Sequence, residues 1–279
     1  MSELLVSPHW LEQHLADPKV KIVDASWYLP TQNRDAKAEF LSGHIPGAVF
    51  FDIDAIADRS TDLPHMLPDE PTFSKAAGAL GLSDTDTIVV YDGMGLFSAP
   101  RVWWTLNTFG AKDVRVLDGG LPAWDKAGNP KKPGEAKPRP ARFAATLARE
   151  KVRDFEQVRT ALERGSTVVD ARSAPRFAGE LPEPRPGLLS GHMPGALNLH
   201  YERLAEGGRL VAPEKIRQLF EGAKVDLSSP VITTCGSGIT AAVLLFALAR
   251  IGKDDVTLYD GSWADWGSRR GAPISTGQA

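Results

Sequence analysis

Ser42-Gly43-His44-Ile45-Pro46-Gly47-Ala48 returns as Ser190-Gly191-His192-Met193-Pro194-Gly195-Ala196, with six identities in seven, 148 positions later. Other landmarks recur in the same order. Asp24-Ala25 precedes the first copy and Asp170-Ala171 the second, each after an apolar run (Val20 to Val23, Thr167 to Val169). Downstream, Asp113-Val114-Arg115-Val116-Leu117-Asp118-Gly119 answers to Asp255-Val256-Thr257-Leu258-Tyr259-Asp260-Gly261, and Trp124 to Trp266. This agreement identifies a duplicated domain, and 279 residues are enough for two domains of ordinary size.

Within each copy, short β-branched runs alternate with helical patterns. In the second, Val231 to Thr234 reads as a strand and Val256 to Tyr259 as another. Between them, Ala241 to Ile251 reads as a helix apolar nearly all round, a pattern that demands burial. Such alternation predicts the α/β class: two tandem domains, each a mostly parallel sheet flanked by helices. The expected organisation is an N-terminal domain over 1–129, a linker over 130–144 and a C-terminal domain over 145–279. Pro130, Pro133, Pro138 and Pro140, interspersed with Lys131, Lys132 and Lys137, predict an extended, solvated linker.

Composition excludes several functions. Lys and Arg total 32 against 35 Asp and Glu, a net charge of −3 that lacks the electrostatic footprint of a nucleic-acid binder. The N-terminus lacks a basic stretch followed by an apolar one, so no signal peptide is read there. The longest strongly apolar run, around Ala241 to Ala249, is about half of what a membrane span needs. The expectation is a soluble cytoplasmic chain with no membrane partner. A single cysteine excludes an intramolecular disulfide framework and any Cys-rich metal site.

That cysteine directly follows the strand Val231 to Thr234 and opens the loop Cys235-Gly236-Ser237-Gly238-Ile239-Thr240. A strand–loop–helix layout puts it at the C-terminal edge of a parallel sheet, where α/β folds bind ligands. The glycines allow several backbone N–H groups to converge on one point, and the helix N-terminus adds positive potential. A sulfur anion is stabilised there. A buried packing cysteine is the alternative, but the first position of a Gly-rich loop favours chemistry. The first copy reads Tyr91-Asp92-Gly93-Met94-Gly95-Leu96-Phe97-Ser98, with Asp92 at or near the cysteine's place. Asp92 offers no thiol, so that copy is read as structural. His44 and His192 are read as structural, because the inert copy keeps its own.

The paired SGHxPGA segments, the cysteine-free first loop and the Cys235 loop together resemble the tandem-domain rhodanese family of sulfurtransferases, over essentially the whole chain. The loop resembles the 3-mercaptopyruvate sulfurtransferase type. Thiosulfate-specific members carry basic residues just after the cysteine, whereas Gly236 and Ser237 are small and uncharged; Ile239 replaces the usual valine. The resemblance implies a persulfide on Cys235, held by the loop backbone of Gly236, Gly238, Ile239 and Thr240, with no metal or organic cofactor. It assigns donor binding to Arg176 and Arg185, whose guanidinium forks match a carboxylate. It assigns a proton relay to Asp54, His65 and Ser237, and to the first domain one wall of the site. Thioredoxin, small thiols or cyanide are the acceptors it implies.

Three alternatives stand beside this reading. One is a preference for thiosulfate. Another is a non-catalytic rhodanese-like module that binds partners or senses redox state. The third, a phosphatase or arsenate reductase with a Cys-x5-Arg loop, is disfavoured because Ala241 stands where that arginine would be.

Overall fold

The computed structural model describes residues 4–278. The chain divides into two compact units. The first comprises residues 1–58, 67–148 and 207–210, and the second residues 59–66, 149–206 and 211–279. The units are therefore not the contiguous blocks 1–129 and 145–279. Arg59–Met66 and Gly207–Leu210 each join the unit to which they are not adjacent in sequence, and the first unit continues to Ala148.

Each unit contains a five-stranded sheet in which every strand pairing is parallel. In the first the spatial order is Leu5–Val6, Asp113–Leu117, Thr87–Tyr91, Val20–Asp24 and Ala48–Phe50. In the second it is Val152–Arg153, Val256–Tyr259, Val231–Thr234, Thr167–Asp170 and Leu197–Asn198. Counted by chain order within a sheet, both read 1-5-4-2-3. The central strands are apolar and β-branched because helices cover both faces; all of Val231–Thr234 is buried. The helix Ala241–Arg250, apolar all round, is buried from Ala241 through Leu248. Strands 4 and 2 are neighbours whose following connections depart in opposite directions. Ligands bind at the carboxyl ends of such a pair.

The repeated heptapeptide does structural work in both units. His44 Nδ1 bonds the Phe40 carbonyl at 2.8 Å, and its ring stacks on Phe40. His192 bonds the Phe177 carbonyl at 2.9 Å and stacks on Phe177. Each histidine backbone also forms an isolated antiparallel bridge, His44 to Lys132 and His192 to Ser275.

Those bridges change the reading of the segment 130–144. It forms no helix or strand of its own and its lysines are exposed, as its composition requires. Its first residues are nonetheless fixed. Trp124 Nε1 donates to the Pro130 carbonyl, and Gly134 N donates to Leu41 O. In the second unit Trp266 Nε1 donates to the Pro273 carbonyl, and Gly277 N to Ala178 O. Pro130 to Gly134 is thus the closing tail of the first unit, the counterpart of Pro273 to Gly277. Further on, Phe143 is buried and Ala141 N bonds Gly78 O. A solvated linker would make none of these contacts.

Asp24 and Asp170 end equivalent strands but meet opposite surroundings. Asp170 is paired with the buried Arg172. Asp24 has no such cation among the described residues: burial pushes its carboxyl up to about 6, against hydrogen bonds from Ser26 and Tyr91, and Asp92 adds repulsion. A raised carboxyl binds its proton in the native state first, so its contribution to stability is present at low pH and lost as pH rises from about 4 to about 6. Asp24→Asn should therefore gain about 3 kcal/mol on the natural protein between pH 4 and pH 7, read from denaturant midpoints. A difference that does not vary with pH would remove this titration from Asp24.

Candidate active site

Cys235 lies at the end of the fourth strand of the second sheet, where that sheet's connections diverge, and is 2% exposed. Its Sγ accepts the Gly238 amide at 3.1 Å. Gly238 has φ +82°, a left-handed conformation that costs a side-chain-bearing residue but not glycine. The loop is clamped from behind by the helix Ser262–Trp266. Trp263 N donates to Cys235 O and Ala264 N to Gly236 O, each at 2.9 Å. Ser262 Oγ accepts the Cys235 amide at 3.3 Å and donates to Tyr259 O at 2.8 Å. Ser262 itself is fully buried with φ +50°. Its counterpart in the first unit, Gly120, holds φ +54° without strain. The second unit thus tolerates a strained serine, which sets a hydroxyl beneath the cysteine.

The equivalent loop of the first unit demonstrates what this backbone does with an anion. Asp92 follows the strand Thr87–Tyr91 as Cys235 follows its own. Its Oδ1 accepts the Met94 and Gly95 amides at 2.8 and 2.7 Å. Its Oδ2 accepts those of Phe97, Ser98 and Ala99 at 2.8–2.9 Å. Five N–H groups, the last at the start of the helix Ala99–Thr108, converge on one buried carboxylate. Gly95 corresponds to Gly238, and both glycines have positive φ.

Arg176 stands on the short helix Ala174–Phe177. A Cβ added to Gly236 would come within 3.1 Å of Arg176 Nη2, so this guanidinium lies directly over the cysteine loop. Arg176 is 22% exposed and bonded to Glu183, Nη2 to Oε2 at 2.5 Å and Nε to Oε1 at 3.3 Å. The side chain of Glu183 is buried and also receives Arg172 Nη1 at 2.8 Å. Arg172 in turn bonds Asp170 and the Gly191 carbonyl, and its guanidinium stacks over Trp263 at 4.3 Å. The result is a line of alternating charges, Asp170, Arg172, Glu183, Arg176, leading from the sheet to the loop.

The remaining expected residues fall as follows. Ser237 is buried within the loop. Arg185 Nη2 lies 3.2 Å from His65 Nε2. Since arginine only donates, Nε2 is the acceptor and the imidazole proton sits on Nδ1. His65 is buried with φ +61° and, with the rest of Arg59–Met66, belongs to the second unit, although the chain on either side of that segment belongs to the first. Asp54 belongs to the first unit, where its Oδ2 accepts the Trp27 indole N–H at 2.9 Å. Trp263 is bonded to the Cys235 backbone, whereas Trp266 packs against Phe155 in the core. Burial pushes the His200 imidazole below its ordinary value; Glu202 opposes the shift and the charge of Arg176 adds to it.

Arg172, Glu183 and Ser262 were not singled out from the sequence. Two of them carry a legible signal, a departure of the second copy from the first: Arg172 replaces Ser26, and Ser262 replaces Gly120.

Known proteins share this sequence and fold. The model of the rhodanese-like domain matches twice, at residues 7–127 and 154–269. The 3-mercaptopyruvate sulfurtransferase of Homo sapiens is 44% identical over 270 residues, covering 94% of this chain and 91% of its own. The thiosulfate sulfurtransferase of Bos taurus is 43% identical over 281 residues, covering 98% and 94%. The crystal structure of the Escherichia coli 3-mercaptopyruvate sulfotransferase SseA superposes with a TM-score of 0.87 at 41% identity, over 94% of this chain and 99% of that one. With both units matched and the likeness spanning nearly every residue, the chain belongs to the rhodanese family, of which it carries two domains.

Proposed function

We propose that the protein transfers the sulfur of 3-mercaptopyruvate, through a persulfide on Cys235, to a thiol acceptor, and releases pyruvate. The observation that carries the choice of donor is Arg176 lying over Gly236 in a loop with no basic residue of its own. Relatives named for thiosulfate and for mercaptopyruvate are almost equally identical to the chain, so overall similarity does not decide the donor. A loop of small neutral residues leaves room for a carbon skeleton beside the sulfur, and the guanidinium fork suits a carboxylate.

In the first step the Cys235 thiolate attacks the donor thiol sulfur. The sulfur–sulfur bond forms, the carbon–sulfur bond breaks, and its electron pair leaves on carbon as the enolate of pyruvate. Arg176 holds the carboxylate, and Arg185 holds the keto oxygen, where it stabilises the developing enolate. The enolate takes a proton, and the persulfide gives one up and becomes anionic. The loop amides of Gly236, Gly238, Ile239 and Thr240 cradle it; Gly238 and Thr240 answer to Gly95 and Phe97, which donate to Asp92 in the first loop. An acceptor thiolate then attacks the outer sulfur and regenerates the Cys235 thiolate. Ser237 and His65, with Asp54 as the third member, move the proton; the family resemblance supports that relay. Small thiols and thioredoxin are the acceptors proposed, cyanide a further one, and the cytoplasm the compartment. Among the described residues no helix is long and apolar enough to cross a membrane.

The test compares kcat/KM for 3-mercaptopyruvate and thiosulfate and records the intact mass after each donor under non-reducing conditions. Mercaptopyruvate should be preferred by at least about tenfold and should add one sulfur to the protein. Preference for thiosulfate would overturn the donor; an unchanged mass with both would overturn the persulfide. Run on His65→Gln and Asp54→Asn, the same assay tests the relay, and turnover equal to the natural protein would remove them from it.

A further inference from the structure

We infer that Glu183 is the positioning residue that holds Arg176 over the cysteine loop. This rests on the reading of Arg176 as the donor-binding arginine. A guanidinium on a four-residue helix, itself one-fifth exposed, has many rotamers open to it. Glu183 removes them by engaging both Nε and Nη2 of Arg176. The carboxylate can do so only because it is fixed from behind. Its Oε1 also receives Arg172 Nη1, and Arg172 is locked by two bonds of 2.7 and 2.9 Å to Asp170 Oδ2, one to the Gly191 carbonyl and the face of Trp263. Asp170 ends a central strand, so the position of Arg176 is referred to the sheet that also fixes Cys235.

The arrangement divides the work within one fork. Nε and one proton of Nη2 are committed to Glu183, which leaves Nη1 and the second Nη2 proton for an anion above Gly236. Glu183 touches no donor atom. Its removal weakens donor binding by letting Arg176 swing away, and the sulfur chemistry on Cys235 is otherwise untouched.

The test is a double-mutant cycle on KM and kcat for 3-mercaptopyruvate, with Glu183→Gln, Arg176→Gln and the pair. Glu183→Gln alone should raise KM about tenfold with kcat changed less than about threefold. In the Arg176→Gln background it should change KM less than about twofold, because the residue it acts through is gone. Glu183→Asp, which keeps both charges in place, should raise KM about threefold alone and leave it unchanged in the Arg176→Gln background; it carries the test if the glutamine variant does not fold. A Glu183 effect of equal size in both backgrounds would overturn the positioning role. An unchanged KM in Arg176→Gln itself would instead overturn the donor-binding reading.

Discussion

Cys235→Ser should lower sulfur transfer from 3-mercaptopyruvate by at least about 10⁴-fold and leave no sulfur-loaded species. Near neutral pH a serine hydroxyl is not ionised, and oxygen has no persulfide chemistry to offer. The fold has little to lose. Serine occupies similar space, its Oγ can accept the Gly238 amide that Sγ accepts, and the backbone clamp from Ser262, Trp263 and Ala264 is unaffected. Stability should stay within about 1 kcal/mol of the natural protein. The measurement pairs turnover with intact mass. Retention of more than about one-hundredth of the activity would show that another nucleophile carries the sulfur, and this chain has no other cysteine.

The largest effect on stability is expected in the first unit. Asp92→Ala should destabilise the first unit by at least about 4 kcal/mol, since five amides, four of them on buried residues, lose a charged acceptor at once. Five of the seven tryptophans belong to that unit, so fluorescence during denaturant unfolding reports on it. Sulfate should restore part of the loss in the variant and do little for the natural protein, because the emptied loop is an anion site. A loss below about 1 kcal/mol would mean that the amides find other partners and that the loop is no anion cradle.

The duplication, the α/β class and the place of Cys235 at a sheet's carboxyl edge were legible because each is written locally: a repeated heptapeptide, alternating strand and helix runs, a cysteine at a strand end. The buried ion line was not. Arg172 and Glu183 are eleven residues apart in sequence, and only the folded chain brings Arg172 and Arg176 onto the one carboxylate of Glu183. The tail of the first unit was hidden differently. Its prolines and lysines describe a linker truthfully at the level of local preference, and a few hydrogen bonds to Trp124, His44 and Leu41 override that preference. The spacing Pro130 to Gly134, repeated as Pro273 to Gly277, was the available clue. His65 could not be placed by reading outward from its neighbours, since residues 59–66 join the second unit while the chain on either side joins the first.

Asp92 also bears on the history of the duplication. A carboxylate on Cβ has the reach of a persulfide: its central carbon stands where the inner sulfur would be, and an oxygen stands where the outer one would carry charge. The inert repeat thus resembles its working sibling arrested halfway through a turnover, with a fixed charge in place of one that comes and goes. In the first unit the occupant of the cradle is built into the chain. The discharged Cys235 loop is then the incomplete one of the pair, and each donated sulfur briefly completes it.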